Sequence, residues 1–157
     1  MKEVAWKKVS RFEGPEQSPG FLLWQVGMKW RRQIEATLVP LGLTHAQFVL
    51  LASIGWLTRH GGEVTQVDLA RHCCLDITMT SQILRALEKK GFVERKKREG
   101  DERSKFPRLT QPGAELVKQA VPSVEKIDHA FFASLGPDAA TCVEILQKLS
   151  EEEQTRE

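Results

Sequence analysis

LARHCCLDITMTSQILRALEKKGFVERKKREGDERSKFPRLTQPG, Leu69–Gly113, is the stretch whose reading decides the fold. Asp76 stands where a helix N-cap is needed, and its carboxylate can accept from the first free backbone N–H groups of a helix running from Ile77 to Lys90. Along that helix Thr80, Ile83, Leu84 and Leu87 form one stripe, while Thr78, Met79, Ser81, Gln82 and Arg85 face the other way. Gly91 closes it as a C-cap residue. Thr65 caps a shorter helix just before, Gln66 to about Cys73, and Leu75-Asp76 turns the chain between the two. A short helix, a tight turn and a second helix with a polar outward face form a helix-turn-helix pattern.

Beyond it, Phe92–Arg98 predicts a strand, Glu99–Ser104 a turn that Gly100 permits, and Lys105–Leu109 a return strand. Pro107 cannot donate to a ladder, so the pair should be a small hairpin with an open edge. Phe92–Thr110 holds seven bases against four acids, while the tail SEEEQTRE holds four acids against one base. The formal net charge is +2, which leaves +5 on the rest of the chain. A local basic surface attached to an acidic end suits a polyanion partner; a solvated charged loop is the plainer alternative.

Working outward, Glu13–Gly20 (EGPEQSPG) is a breaker-rich linker after a short arm carrying Val4, Trp6, Val9 and Phe12. From Phe21, Leu23, Val26, Trp30, Ile34 and Leu38 step by three and four along a long helix that Pro40 and Gly42 stop. Thr44-His-Ala-Gln47 is a capping box for a helix to about Thr58. That helix is apolar nearly all round, so it should be central. Thr110 caps a last helical region in which Val117, Ala120, Val124, Ile127 and Phe131 make a seam. Pro122 predicts a kink or a restart there. Gly136-Pro137-Asp138 restarts the chain before a final helix with Val143, Leu146 and Leu149 on its apolar face. The first and last helices need a partner surface, and a second copy of the chain is the simplest one.

The expected architecture is therefore mainly α with a small β-hairpin wing. Residues 1–20 are arm and linker, 21–43 and 111–157 are dimerisation helices, and 44–110 are a winged helix-turn-helix lobe. Cys73, Cys74 and Cys142 are too few and too odd for a disulfide framework, and a soluble cytoplasmic protein is expected. Around His45, His60 and His129 no paired metal ligands stand at a set spacing, and no nucleophile-base set, phosphate loop or carboxylate pair suggests an enzyme or a cofactor. Cys73 and Cys74 fit better as small fillers of the helix-turn-helix bend than as a redox or metal site.

The central stretch resembles the MarR family of winged-helix transcriptional regulators. Four features carry the likeness in order: the helix-turn-helix, R-x-L-E-x-x-G-x-V-x-R from Arg85 to Arg95, D-x-R-S-K from Asp101 to Lys105, and L-T-x-x-G from Leu109 to Gly113. The outer helices match only in length and pattern. The resemblance implies a homodimer on a palindromic double-stranded DNA operator, probed by Thr78, Met79, Ser81, Gln82 and Arg85 in the major groove. Gln82 stands where the family often has arginine, which would shift the base preference from guanine toward adenine. Arg103 matches the wing arginine that would enter the minor groove, with Asp101 two residues earlier to hold its guanidinium. Arg95, Lys96, Lys97, Arg98 and Lys105 would contact phosphates.

It also implies release by a small aromatic or phenolic acid. Trp24, Trp30 and Trp56 would bound that effector's pocket, with Arg31 or Arg32 as counter-ion, although core packing of the tryptophans is the plainer alternative. The family's peroxide sensors carry a reactive cysteine near the start of the first long helix with tyrosines close by; this chain has neither. A winged-helix module that binds protein, or DNA without an effector, is the competing expectation.

Overall fold

The computed structural model describes residues 4–98 and 101–151, with side chains for 4–95 and 106–151. In chain order the helices are α1 (Trp6–Val9), α2 (Pro19–Leu38), α3 (His45–Leu57), α4 (Gln66–His72) and α5 (Ile77–Lys89). Strands β1 (Val93–Arg98) and β2 (Asp101–Leu109) follow, then α6 (Gln111–Phe132) and α7 (Ala139–Glu151). Helices α2 to α6 each start where a short polar side chain satisfies one of the first N–H groups. Ser18 accepts from Phe21 N, Thr44 from Gln47 N, Thr65 from Asp68 N and Asp76 from Met79 N. Thr110 accepts from Gly113 N. At Thr44 and Thr65 the box is reciprocal, with Gln47 and Asp68 reaching back. The linker supplies the first cap itself, so α2 begins at Pro19, two residues before the expected start, with the proline preset for the first turn.

One hydrophobic cluster joins nearly all of these elements. Ile34 and Leu38 of α2, Leu50, Leu51 and Ile54 of α3, Leu69 of α4, Leu84 and Leu87 of α5, Val93 of β1 and Ala120 and Val124 of α6 are buried together. α2 and α6 therefore share the core of the helix-turn-helix lobe, while α7 places no buried side chain in it. Other apolar side chains of the terminal helices do not reach it: Leu23, Trp24 and Val26 at the start of α2 are exposed, and so are Val143, Ile145, Leu146 and Leu149 on α7. The arm residues Val4, Trp6 and Val9 are exposed as well. On α3, apolar nearly all round, Trp56 is still 59% exposed, with the Arg59 guanidinium stacked 3.6 Å over its ring. α6 passes through Pro122 as one helix, with no restart. No single helix among the described residues is long and apolar enough to cross a membrane.

The hairpin differs from expectation at its tip. Val93 pairs with Leu109 and the register holds to Lys97 opposite Lys105, but Arg98 then pairs with Asp101. Among the described residues, 102–104 have no partner across the ladder, and β2 reaches four residues further back than Lys105. Of the expected turn over Glu99–Ser104, residues 101–104 are strand, with the register shift falling opposite them between Lys97 and Arg98; Glu99 and Gly100 lie outside the described residues. The length of the turn could not be read from composition because it depends on pairing register.

At the base of the hairpin the chain returns to where it left α5. Thr110 N donates to Phe92 O at 3.1 Å, and Thr110 Oγ1 donates to Gly91 O at 2.6 Å while accepting from Gly113 N at 3.1 Å. A Cβ on Gly113 would run into the Phe92 carbonyl oxygen and stand 2.9 Å from its carbon. Gly113→Ala is therefore expected to destabilise the chain by about 1–3 kcal/mol. Urea unfolding monitored by circular dichroism checks this; a wild-type midpoint would show that α6 can withdraw at no cost.

Candidate nucleic-acid interface

The inner stripe of α5 fixes which residues face out. Thr80, Leu84 and Leu87 are fully buried, and Thr80 Oγ1 donates to Asp76 O at 2.9 Å. Thr78, Met79, Gln82 and Arg85 are left exposed on the opposite side, and Ser81 is half-buried beside them. Arg85 Nη2 donates to Ser81 Oγ at 3.0 Å, so these two residues are already ordered with respect to each other. Ile77 is also exposed, an apolar addition to the outward side that the sequence had not singled out. The turn before α5 is tight: Cys74 takes a positive φ of 52°, the one non-glycine to do so among the described residues. Cys73 beside it is half-buried with its Sγ 3.4 Å from Ser53 Oγ, and burial pushes its thiol pKa up, as suits a packing role.

The wing is held at its base by Val93, Phe106 and Pro107, all buried. Pro107 lies opposite Arg95, with its ring turned into the core. The side chains of Lys96, Lys97, Arg98, Asp101, Arg103 and Lys105 lie outside the described residues, as does Gly100. The backbone places Arg103 at the centre of the unpaired segment 102–104. Arg95 departs from the phosphate-contact role expected of it. Its side chain is only 20% exposed and its Nε stands 3.1 Å from Glu88 Oε2 on α5. The cause is strand alternation: Val93 points inward, so Arg95 does too. Lys90 is likewise engaged, donating from Nζ to Gly42 O at 2.6 Å and Gln47 Oε1 at 2.9 Å, which ties the end of α5 to the start of α3.

A capped helix with a polar outward side, beside a two-stranded wing, is the arrangement of a winged helix-turn-helix. A sequence model of the MarR family matches residues 43–105. The uncharacterized HTH-type transcriptional regulator YdcH of Bacillus subtilis is 50% identical over 125 residues, covering 80% of this chain and 85% of that protein. The chain belongs to the MarR family. Another relative, the HTH-type transcriptional repressor Rv2887 of Mycobacterium tuberculosis, is 34% identical over 131 residues, 83% of this chain and 91% of the relative. Its solved complex with DNA superimposes with a TM-score of 0.65 at 31% identity, covering 84% of this chain and 96% of that one. Its complex with salicylic acid gives 0.65 at 33%, with the same coverage. As a MarR-family protein the chain is a DNA-binding transcriptional regulator, and the family's members are not enzymes.

The residues expected to line an effector pocket are not gathered at one place in the single chain. Trp56 lines a crevice of about 550 Å³ with Arg59, Val117, Lys118, Val121 and Pro122. Arg31 lines another, of about 360 Å³, with Met28, Arg32 and Glu35, and is ion-paired to Glu35 at 2.7 Å. Trp24 is exposed on the outer part of α2. Trp30 is committed elsewhere: its Nε1 donates to Asp128 Oδ1 at 2.7 Å and its ring meets His45 edge-on at 5.1 Å. That cluster pins α2, α3 and α6 together, which no local spacing announces because the bonded residues lie 98 positions apart.

His45 is half-buried in this cluster. Burial, and then the positive charge of Arg31, push its pKa below the ordinary 6.5, against smaller opposing effects of Glu35 and Asp128. The unfolded chain takes up the proton first, so the stability from a neutral His45 is full above about pH 6.5 and is lost as pH falls through the depressed folded value. His45→Gln should therefore unfold with a shallower loss of stability between about pH 6.5 and 5 than wild type, read from paired urea titrations. Parallel curves for the two proteins would remove His45 from the acid sensitivity.

Proposed function

We propose that this MarR-family chain is a repressor that binds a palindromic operator as a homodimer. Thr78, Met79, Ser81, Gln82 and Arg85 read base edges in the major groove, and Arg103, aimed by Asp101, enters the minor groove beside them. Lys97, Arg98 and Lys105 contact phosphates and give affinity without sequence information. The observation that carries this proposal is the outward face of α5: five polar or flexible side chains on a helix whose cap, inner stripe and C-terminal turn are all fixed. The name of the Rv2887 relative and its complex with DNA support repression and duplex binding. The exposed apolar side chains of α7 and of the start of α2 support pairing with a second copy.

A small aromatic acid is the effector most consistent with the crevice at Trp56. Val117 and Val121 give it apolar walls, Arg59 and Lys118 give it cations, and a relative has been solved with salicylic acid. DNA binding without an effector is the second proposal, favoured by the scatter of Trp24, Trp30, Arg31 and Trp56 over separate sites.

A duplex selected by the protein from a random-sequence pool serves as probe. Fluorescence anisotropy should show log affinity falling by several units per decade of salt. Arg103→Ala is expected to weaken binding by at least about tenfold with an unchanged melting curve. Wild-type affinity in that variant would sink the wing assignment, and failure to select any duplex would sink the function. Sedimentation at twice the chain mass supports the dimer, and a monomer at micromolar concentration refutes it. Salicylate added to the complex separates the two effector proposals: release supports the first, unchanged anisotropy the second.

A further inference from the structure

We infer that Glu88 and Arg95 form a positioning pair that sets the angle between the α5 reading helix and the wing. The inference rests on the DNA-binding function proposed above and concerns how its two contacts are held at a fixed separation.

Glu88 lies in the last turn of α5, on the flank between the buried stripe and the outward face. Arg95 is the third residue of β1 and points inward, directly opposite Pro107. The two side chains are 31% and 20% exposed, and Arg95 Nε stands 3.1 Å from Glu88 Oε2. Arg95 Nε and Nη2 are buried and make no hydrogen bond of good geometry. A guanidinium held largely out of water needs an opposite charge, and among the described side chains Glu88 supplies one at 3.1 Å. The attraction is thus mainly charge on charge, linking an α-helix to a strand across the Gly91 turn.

Such a link has a use that packing lacks. A two-stranded hairpin has little stability of its own, so its direction is set by what grips its base. Val93, Phe106 and Pro107 grip it through apolar contacts, which resist separation but not rotation. The ion pair adds an attraction between one point on α5 and one on β1, so a rotation that separates them on that side is opposed. From Pro107 to the unpaired segment 102–104 is about 10 Å of strand, so a small rotation at Arg95 becomes a larger displacement at Arg103. The pair therefore governs whether the wing reaches its groove while α5 is seated in the neighbouring one.

The charge of Glu88 gives a test by sign. If Arg95 simply touched phosphate, removing the nearby acid would free it and reduce repulsion, so Glu88→Gln would bind DNA as well as wild type or better. A positioning pair predicts the reverse: Glu88→Gln weakens binding to the selected duplex by about tenfold despite removing a negative charge. Hydroxyl-radical footprinting should then show lost protection at the minor-groove flanks with protection by α5 retained. The reversed pair, Glu88→Arg with Arg95→Glu, should recover most of the loss. Binding by Glu88→Gln at or above wild-type strength would overturn the inference. So would a uniform weakening of the whole footprint, which would mark a general structural role. Wild type bound to the same duplex is the control for DNA binding itself, so failure of the pair and failure of the function are distinguishable.

Discussion

The close meeting of Gly113 with the Phe92 carbonyl is the constraint on which the rest of the molecule depends. At that point three segments are joined within a few ångströms: the end of α5, the first residue before β1 and the first turn of α6. Thr110 serves all three, donating to Gly91 and Phe92 carbonyls and accepting from Gly113 N. A hairpin of two strands could not hold its own base closed. Closing it through the cap of a 22-residue helix makes the wing a fixed projection of the core. The absence of a Cβ at one position makes that possible.

What was legible in the sequence was mostly local. The caps at Thr44, Thr65, Asp76 and Thr110 act within three residues, so spacing alone finds them. The buried stripe of α5 follows from helical periodicity, and its outward face follows from the stripe. The hairpin tip was not legible, because the shift between Lys97 and Arg98 belongs to the pairing of two strands. Arg95 was assigned by its charge when its place in the alternation from Val93 was the stronger signal. A buried apolar residue at i puts i+2 on the same side, whatever its type. Trp30 was expected to line a pocket, and nothing near it in sequence could reveal Asp128 as its partner.

The distribution of burial also says where the molecule is incomplete. α7 is 13 residues long with Val143, Ile145, Leu146 and Leu149 all exposed. A helix of that length is marginal in water without a packed face. The start of α2 shows the same pattern on Leu23, Trp24 and Val26. In the proposed dimer these surfaces are where the second copy packs, and they lie on the elements that bracket the helix-turn-helix in sequence.

That arrangement limits how a ligand could act. Ile34 and Leu38 of α2 and Ala120 and Val124 of α6 sit in the same cluster as Leu50, Ile54 and Leu84. Tilting the reading lobe against the terminal helices would open that cluster, at a cost of about 2–5 kcal/mol for each large side chain left unpacked. It would also break the Trp30–Asp128 hydrogen bond. Rotating one protomer against the other disturbs only the surfaces exposed in the single chain. In the proposed dimer, half-sites about 34 Å apart would be sensitive to such a rotation, since α5 is packed into the core of its own protomer. If the chain is the effector-released repressor dimer proposed above, the cost of unpacking this shared core makes the interface between protomers the softer degree of freedom.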